Sequence, residues 1–473
     1  MYHWVVAGLL AAGLVGGPWA WGADIPALDP REAYPGGEAT ARATRGPLHW
    51  RLAPNLDLAA QGQALVGHGF FSDPWVMAPA STTARDGLGP LYNARACTSC
   101  HADGGRGRVP PGGPWVSLVL RLRPSPRGAM PYGDQLQPLG VGQPGEGHLQ
   151  VSYTPRPGHY PDGTPYTLYV PRYTVVDTVA DTVADTVADG TPDSPNPGSP
   201  KRLPGPASAR LAQPLYGLGL LEAIPPGVIE ARADPGDRDG DGISGRAAQV
   251  VELASGARRL GRFGHKARHP TVHQQVAHAF ANDIGITNPL YPAQPCAPAQ
   301  VRCLAGPHGP GPGTDHEIDA ERLAAVTRLT QSLGPPRRPD WDDPAVVAGR
   351  ALFHRVGCAT CHTPRFALDP GTDPAGPGQV IWPYSDVLLH DMGDELADGV
   401  AEGDASGREW RTPPLWGLRA VDPRHARYLH DARARTLEEA ILWHGGEGAA
   451  AREGFRRLTA TQRRLLLRFL ASL

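Results

Sequence analysis

The sequence predicts a mainly α-helical chain in which one helical module occurs twice in tandem, the first copy enlarged by a loop-rich insertion containing strands. Three observations lead there. The pentads "CTSCH" at 97–101 and "CATCH" at 358–362 share one pattern. A helix-like segment precedes each pentad, and an amphipathic helix closes each half. Between residues 110 and 230 the helical periodicity gives way to strand-like and irregular sequence. The 473 residues suffice for two or three domains with ordinary cores. The 59 glycines and 52 prolines imply long irregular connections between modest helices. A formal net charge of −2 supplies no basic field for nucleic acid.

Residues 1–22 read as a secretory signal peptide. "VVAGLLAAGLVGG" is an apolar run too short to span a bilayer, and small residues follow at Ala20, Gly22 and Ala23. The segment before it has no Lys or Arg, only His3, so an uncleaved N-terminal anchor is the alternative. No other stretch has the length to cross a membrane, which places the mature chain in the periplasm without stable membrane insertion. The first module runs from 50 to 336. "LAAQGQALVGHGFF" is the helix ahead of its pentad, and "IDAERLAAVTRLTQSLGPP" closes it with Leu323, Val326, Leu329 and Leu333 on one face before Pro335 and Pro336. Its insertion, at about 110–230, holds the strand-like "WVSLVLRLRP", "HLQVSYTP" and "YTLYVPRYTVV". It also holds the repeat "DTVADTVADTVADG" within 177–200, which reads as a solvated disordered loop. The second module runs from 340 to 473. "DDPAVVAGRALFHRVGC" has Asp343 as N-cap, Pro344 at the first helical position and Val347, Leu352 and Phe353 on an apolar face. "LTATQRRLLLRFLASL" closes the chain, with Thr459 and Gln462 spaced as a capping box.

Each pentad could be half a zinc site, a redox dithiol or a haem attachment point. A zinc site needs four ligands in a closed array and has no use for the adjoining histidine. A thioredoxin-like dithiol sits after a strand in a βαβ unit, and that context is missing. Covalent attachment of haem c explains all three residues. Cys97 with Cys100, and Cys358 with Cys361, form thioethers, and His101 and His362 become proximal iron ligands. Helix, CxxCH, loops and terminal helix is the plan of a cytochrome c-like domain, and it occurs twice. The remaining pair, Cys296 and Cys303 in "PCAPAQVRC", reads as a structural disulfide in an oxidising compartment, with two free buried thiols as the alternative.

The chain resembles the di-haem cytochrome c peroxidase superfamily, and within it the di-haem oxidoreductase branch sometimes labelled thiol oxidoreductases. The resemblance covers roughly 50–473. It rests on "DGLGPLYNARACTSCH", "YGLGLLEAIP", "DRDGDGISGR", "GRFGHKA", "YSDVLLHDMGDELADG", "REWRTPPLWGL" and "YLHDARARTLEEAILWHGGE". It implies an exported oxidoreductase with two c-type haems, reducing a small oxidant such as hydrogen peroxide. The electrons would come from a periplasmic donor, a small cytochrome or a cupredoxin. By the same resemblance a helix matching "TLEEAILWH" supplies the second haem's distal ligand, usually a methionine. His444 stands at that position here, so bis-histidine ligation by His362 and His444 is expected, with Met392 as rival. The stretch "GRFGHKARHPTVHQQVAHAFANDIGIT" corresponds to one carrying a tryptophan, a glutamine and a catalytic carboxylate. Gln275 matches the glutamine, Asp283 lies near the carboxylate, and Glu222 is an alternative acid. His265 replaces the usual tryptophan; it could ligate iron or relay protons. If both haems are six-coordinate, His265, His269, His273 or His278 would fill the first distal site, and the chain would be an electron carrier. Oxidation of a thiol or other substrate follows only from the branch's label.

Asp237, Asp239 and Asp241 alternate ahead of Gly242, the pattern of a calcium loop. Ala248 stands where the bidentate glutamate of a full EF-hand would be, so an acidic turn is the alternative to a Ca²⁺ site. Asp386, His390 and His430 are expected to orient ligands near the second haem.

Overall fold

A computed structural model describes residues 25–42, 51–109, 115–123, 132–176, 200–201, 207–306, 315–368 and 379–473. The expected signal peptide at 1–22, and all but the end of the expected repeat at 177–200, lie outside the described residues.

Helix α1 (Leu58–Ser72) begins where Asp57 Oδ1 accepts from the Ala60 amide at 2.7 Å, satisfying an amide that has no partner within the helix. The insertion follows the first pentad. Strand β1 (Leu118–Leu122) pairs antiparallel with β4 (Ala207–Leu211), Leu118 opposite Leu211. Between them β2 (His148–His159) and β3 (Pro165–Val176) form a long antiparallel hairpin, His148 opposite Val176. Helix α2 (Val272–Ala279) starts at Thr271, whose Oγ1 accepts from the Gln274 amide. Helix α3 (Ala320–Gln331) buries Leu323, Val326 and Leu329, and Leu333 beyond its end is buried as well. Helix α4 (Pro344–Arg355) is capped by Asp343, which accepts from the amides of Ala345 and Val346. Its inner face runs through Val346, Leu352 and Phe353, Val347 being only half-buried. Strands β5 (Leu389–Asp391) and β6 (Glu409–Arg411) pair antiparallel. Three helices end the chain: α5 (Leu437–Leu442), α6 (Ala449–Arg457) and α7 (Ala460–Leu470), the last with both bonds of the Thr459–Gln462 capping box. Six small sheets, all antiparallel, accompany the helices among the described residues, so helix and strand are mixed.

The two halves solve one packing problem in the same way. Helix α1 crosses α3 at Gly67, where a Cβ would lie 2.1 Å from the Ala325 carbonyl oxygen. Helix α4 crosses α7 at Gly349, where a Cβ would lie 2.1 Å from the Leu465 carbonyl oxygen. In each half a helix ahead of a pentad lies backbone-to-backbone against the closing helix. Each crossing anchors a hydrophobic cluster, Phe71, Leu323 and Val326 in the first and Phe353, Leu466 and Phe469 in the second.

The insertion crosses onto the second half. Tyr160 and Leu168 of the hairpin belong to the second cluster. The Tyr160 hydroxyl donates to Glu438 at 2.6 Å, and that of Tyr173 donates to Asp431 at 2.7 Å. Guanidiniums of Arg156, from the hairpin, and Arg433, from the second half, each lie 4.6 Å from the Trp443 ring centroid, in cation–π range.

Candidate active site

Two cavities of similar size open over the two pentads. The one over 358–362 measures about 210 Å³. Gly357, with φ 88°, turns the chain out of α4 and into the pentad, a backbone angle that glycine adopts without a Cβ clash. His362 Nδ1 lies 3.0 Å from the Tyr384 carbonyl oxygen, and His444 Nδ1 lies 2.8 Å from that of Ala440. A carbonyl only accepts, so both Nδ1 atoms carry the proton and both Nε2 atoms keep a lone pair. This is the form in which imidazole binds a metal, with its outer nitrogen fixed by a backbone partner. Burial pushes both rings away from the charged form, His362 down to about 4. The cavity is lined by Cys358, Cys361, His362, Met392 and His444. Met392 and His444 converge at Gly448, where a Cβ would lie 3.2 Å from both Met392 Cε and His444 Cδ2.

The cavity over 97–101 measures about 220 Å³ and is lined by Cys97, Cys100, His101, Gln275 and Asp283. His101 Nδ1 is buried with no hydrogen-bond partner among the described residues. Burial brings this ring down to about 4. Asp283 sits in a single π turn, Phe280–Ile284, at the end of α2. The wider turn aims its carboxyl at the cavity while its carbonyl accepts from the amides of Asn93 and Ala94. Such turns recur at functional sites. Gln135 Nε2, from the insertion, donates to Asp283 Oδ1 at 2.7 Å. Burial nevertheless holds the carboxyl above its usual range. Gln275 Oε1 is buried and unpartnered among the described residues, as suits a group waiting for a ligand. His269 and His278 also line this cavity, their rings 4.7 Å apart.

The cavities fit haem better than the rival readings of the pentads. The two CxxC pairs line separate cavities, so they cannot close one four-cysteine zinc site. Burial pushes the thiols of Cys100 and Cys358 up to about 12, with Cys97 higher still and Cys361 raised; a redox dithiol needs the opposite shift. Each cavity offers two thiols and an inward imidazole, and a largely apolar lining suits a porphyrin.

His265, Gln213 and Arg411 line both cavities. His265 therefore stands in the wall between the pentads, kept neutral by burial and by Arg210 nearby. Next to it Trp410 stacks on His430, with ring centroids 3.7 Å apart and planes 16° apart. Arg210 and Lys266 each lie 4.4 Å from the Trp410 centroid, and both bond Asp398, at 2.8 and 3.0 Å.

The remaining candidates divide. Glu222 lines neither cavity; its carboxylate accepts from the Val272 amide at 2.8 Å and from Gln331 Nε2 at 2.6 Å, tying the start of α2 to α3. His273 turns away too, its Nδ1 3.1 Å from Thr327 Oγ1. His390 lies between two carboxylates, Nε2 2.8 Å from Asp386 and Nδ1 2.6 Å from Glu447. Burial opposes its charge, but the two carboxylates overcome this and raise it to about 12, so it is an imidazolium. Glu447 also accepts from the Ser244 amide and hydroxyl, which ties the aspartate loop to the second cavity. Oxygens of Asp237, Asp239 and Asp241 lie within 4.8 Å of one another, with Asp237 at φ 46°, a cluster able to hold a cation. Cys296 and Cys303 are bonded, with Cα atoms 5.8 Å apart. Reading motifs gave no role to Arg268 and Glu447, although both lie inside quoted motifs, and missed Arg121, Gln135 and Glu402, which come from segments far apart in the chain.

Two largely apolar sites, each with its own CxxCH pentad and separated by one shared wall, define a class, the di-haem redox proteins. A family model described as "di-haem oxidoreductase, putative peroxidase" matches residues 33–119 and 134–473. The chain belongs to this di-haem oxidoreductase family. No curated protein and no solved structure matches it.

Proposed function

We propose that the chain is a periplasmic peroxidase built of two cytochrome c-like modules, with haem c on Cys97/Cys100 over His101 and on Cys358/Cys361 over His362. The observation that carries this reading is the pair of cavities, each floored by its own pentad, meeting at a wall made by His265, Gln213 and Arg411. Electrons enter at the second site, where His444 faces His362, and leave at the first. Hydrogen peroxide takes up two electrons and two protons there and gives two waters, each electron coming from a one-electron donor such as a small cytochrome or a cupredoxin. Haem supplies the iron coordination site and the redox couple. The protein's own part is proton movement and exclusion of water. Asp283, raised by burial, is suited to take a proton from one peroxide oxygen and return it to the other, and Gln275 Oε1 is placed to orient the ligand. The neutral His265 and the stacked Trp410–His430 pair fill the space between the sites with rings rather than water. A Ca²⁺ ion on Asp237, Asp239 and Asp241 would stiffen the loop that reaches Glu447.

His269 and His278 favour a second reading, a carrier in which one of them fills the first site's remaining position. Electron paramagnetic resonance of the protein as isolated separates the two. One high-spin and one low-spin ferric signal, with peroxide turnover, supports the enzyme. Two low-spin signals without turnover refute it. The denatured mass must carry two covalent haem additions; without them both readings fail.

A further inference from the structure

A third cavity, an open cleft of about 490 Å³, adjoins the first haem-sized cavity, and the two share Arg121, Arg268, His269 and Glu402 in their walls. The cleft is the natural way in from solvent, and its charge is one-sided. Four guanidiniums line it, those of Arg121, Arg123, Arg258 and Arg268, against two carboxylates, Asp134 and Glu402. Some of that charge is already engaged. Arg121 donates to Glu402 at 3.1 Å, to Gln135 at 3.0 Å and to His278 at 3.2 Å. Arg258 donates to the Gln249 carbonyl at 2.7 Å. Glu402 is also 3.8 Å from Arg210 and feels the charge of Arg268, so its single charge is divided among three arginines.

Arg268 differs from its neighbours. It stands at the neck shared by cleft and cavity, and among the described residues its guanidinium has no hydrogen-bond partner. Beside it the Nδ1 of buried His269 is unpartnered as well. A planar donor fork without a protein acceptor, half-buried at the neck, matches a carboxylate-sized oxyanion. Neutral peroxide makes no use of the charge.

We propose that this cleft is the entry vestibule of the first cavity and that it selects small oxyanions of carboxylate size, with Arg268 as the specificity-determining residue. The inference rests on the reading of the first cavity as the reacting one, in that it names the charge class of what enters there.

The test uses the haem-loaded full chain and its Arg268→Gln and Arg268→Lys variants. Formate binding is followed by calorimetry with the open iron held by saturating imidazole, so that the readout does not report coordination of formate to the iron. Binding to the iron is followed from the Soret band, with azide as the anionic ligand and imidazole as the neutral one. A charge-assisted hydrogen bond amounts to roughly a tenfold or larger change in affinity. Formate and azide should therefore each weaken by about tenfold or more in Arg268→Gln and recover only in part in Arg268→Lys, which keeps the charge without the planar fork, while imidazole binding is unaffected in both. Raising the salt should weaken formate binding to the wild type and to Arg268→Lys more than to Arg268→Gln. Formate affinity equal in all three proteins, or azide and imidazole weakened alike, would overturn the proposal. Should Arg268→Gln fail to load haem, the lysine variant and the wild-type salt dependence decide it. Formate binding that depends on Arg268 without any azide shift upholds the vestibule and counts against an open first haem.

Discussion

The three glycines of α1 offer a test of the helix crossing that positions the first pentad. A Cβ at Gly62 or Gly69 meets nothing within 4 Å, whereas at Gly67 it would lie 2.1 Å from the Ala325 carbonyl oxygen and 2.5 Å from the carbonyl carbon. Alanine at Gly62 should stabilise the protein by ~0.5–1 kcal/mol, because it restricts the unfolded chain and favours the helix. Alanine at Gly67 gains the same increment but forces α1 and α3 apart by about an ångström, an overpacking that costs ~1–3 kcal/mol. The obstruction is backbone and cannot rotate away. The two variants should therefore differ by ~2 kcal/mol and shift the unfolding midpoint in opposite directions, separated by roughly 2–3 °C. Thermal and urea unfolding of the haem-loaded protein measure this. Shifts in the same direction would refute the close crossing, and with it the account of how Cys97 and Cys100 are held beneath their cavity. Gly349→Ala, against the Leu465 carbonyl, should repeat the loss in the second half.

Three other expectations concern the sites. His444→Ala should convert the second iron from low spin to high spin or hand it to Met392, which a methionine–iron absorption band would reveal; an unchanged low-spin spectrum removes His444 as ligand. Asp283→Asn should lower peroxide turnover by about a hundredfold while leaving imidazole binding intact. Because burial raises Asp283, wild-type turnover should fall on acidification at a pH above the ordinary carboxylate range, and the variant should lack that limb. His390 is raised in the folded state to about 12, so its contribution to stability is complete below the ordinary histidine pKa of about 6.5 and declines as pH rises toward the folded value. Alkaline destabilisation should thus be steeper in the wild type than in His390→Gln, as followed by urea midpoints from neutral to pH ~10; equal slopes would mean that His390 carries no charge.

Short-range chemistry is what the sequence itself determined. The CxxCH pentads, the caps at Asp343 and Thr459, and the apolar faces of α3, α4 and α7 each depend on residues a few positions apart, where a side chain must meet its own backbone or its own helix face. His444 and Asp283 were visible for a different reason, as positions matched through the resemblance to the di-haem family's motifs. Glu222 looked equally acidic and equally well placed in its motif, yet its carboxylate turns to the Val272 amide and to Gln331, contacts set by how α2 meets α3. The hairpin read as a loop-rich addition became part of the second half's core, because Tyr160 and Leu168 find apolar cover only there. The wall of His265, Gln213 and Arg411, the Trp410–His430 stack, the His390–Glu447 bond and the placement of Arg268 near Glu402 join residues from 20 to 198 positions apart. No periodicity encodes such meetings, since each is the by-product of packing two helical halves and an insertion until every large side chain is buried. The burial that packing imposes, rather than residue type, then decides which histidines are neutral and which carboxyl can hold a proton.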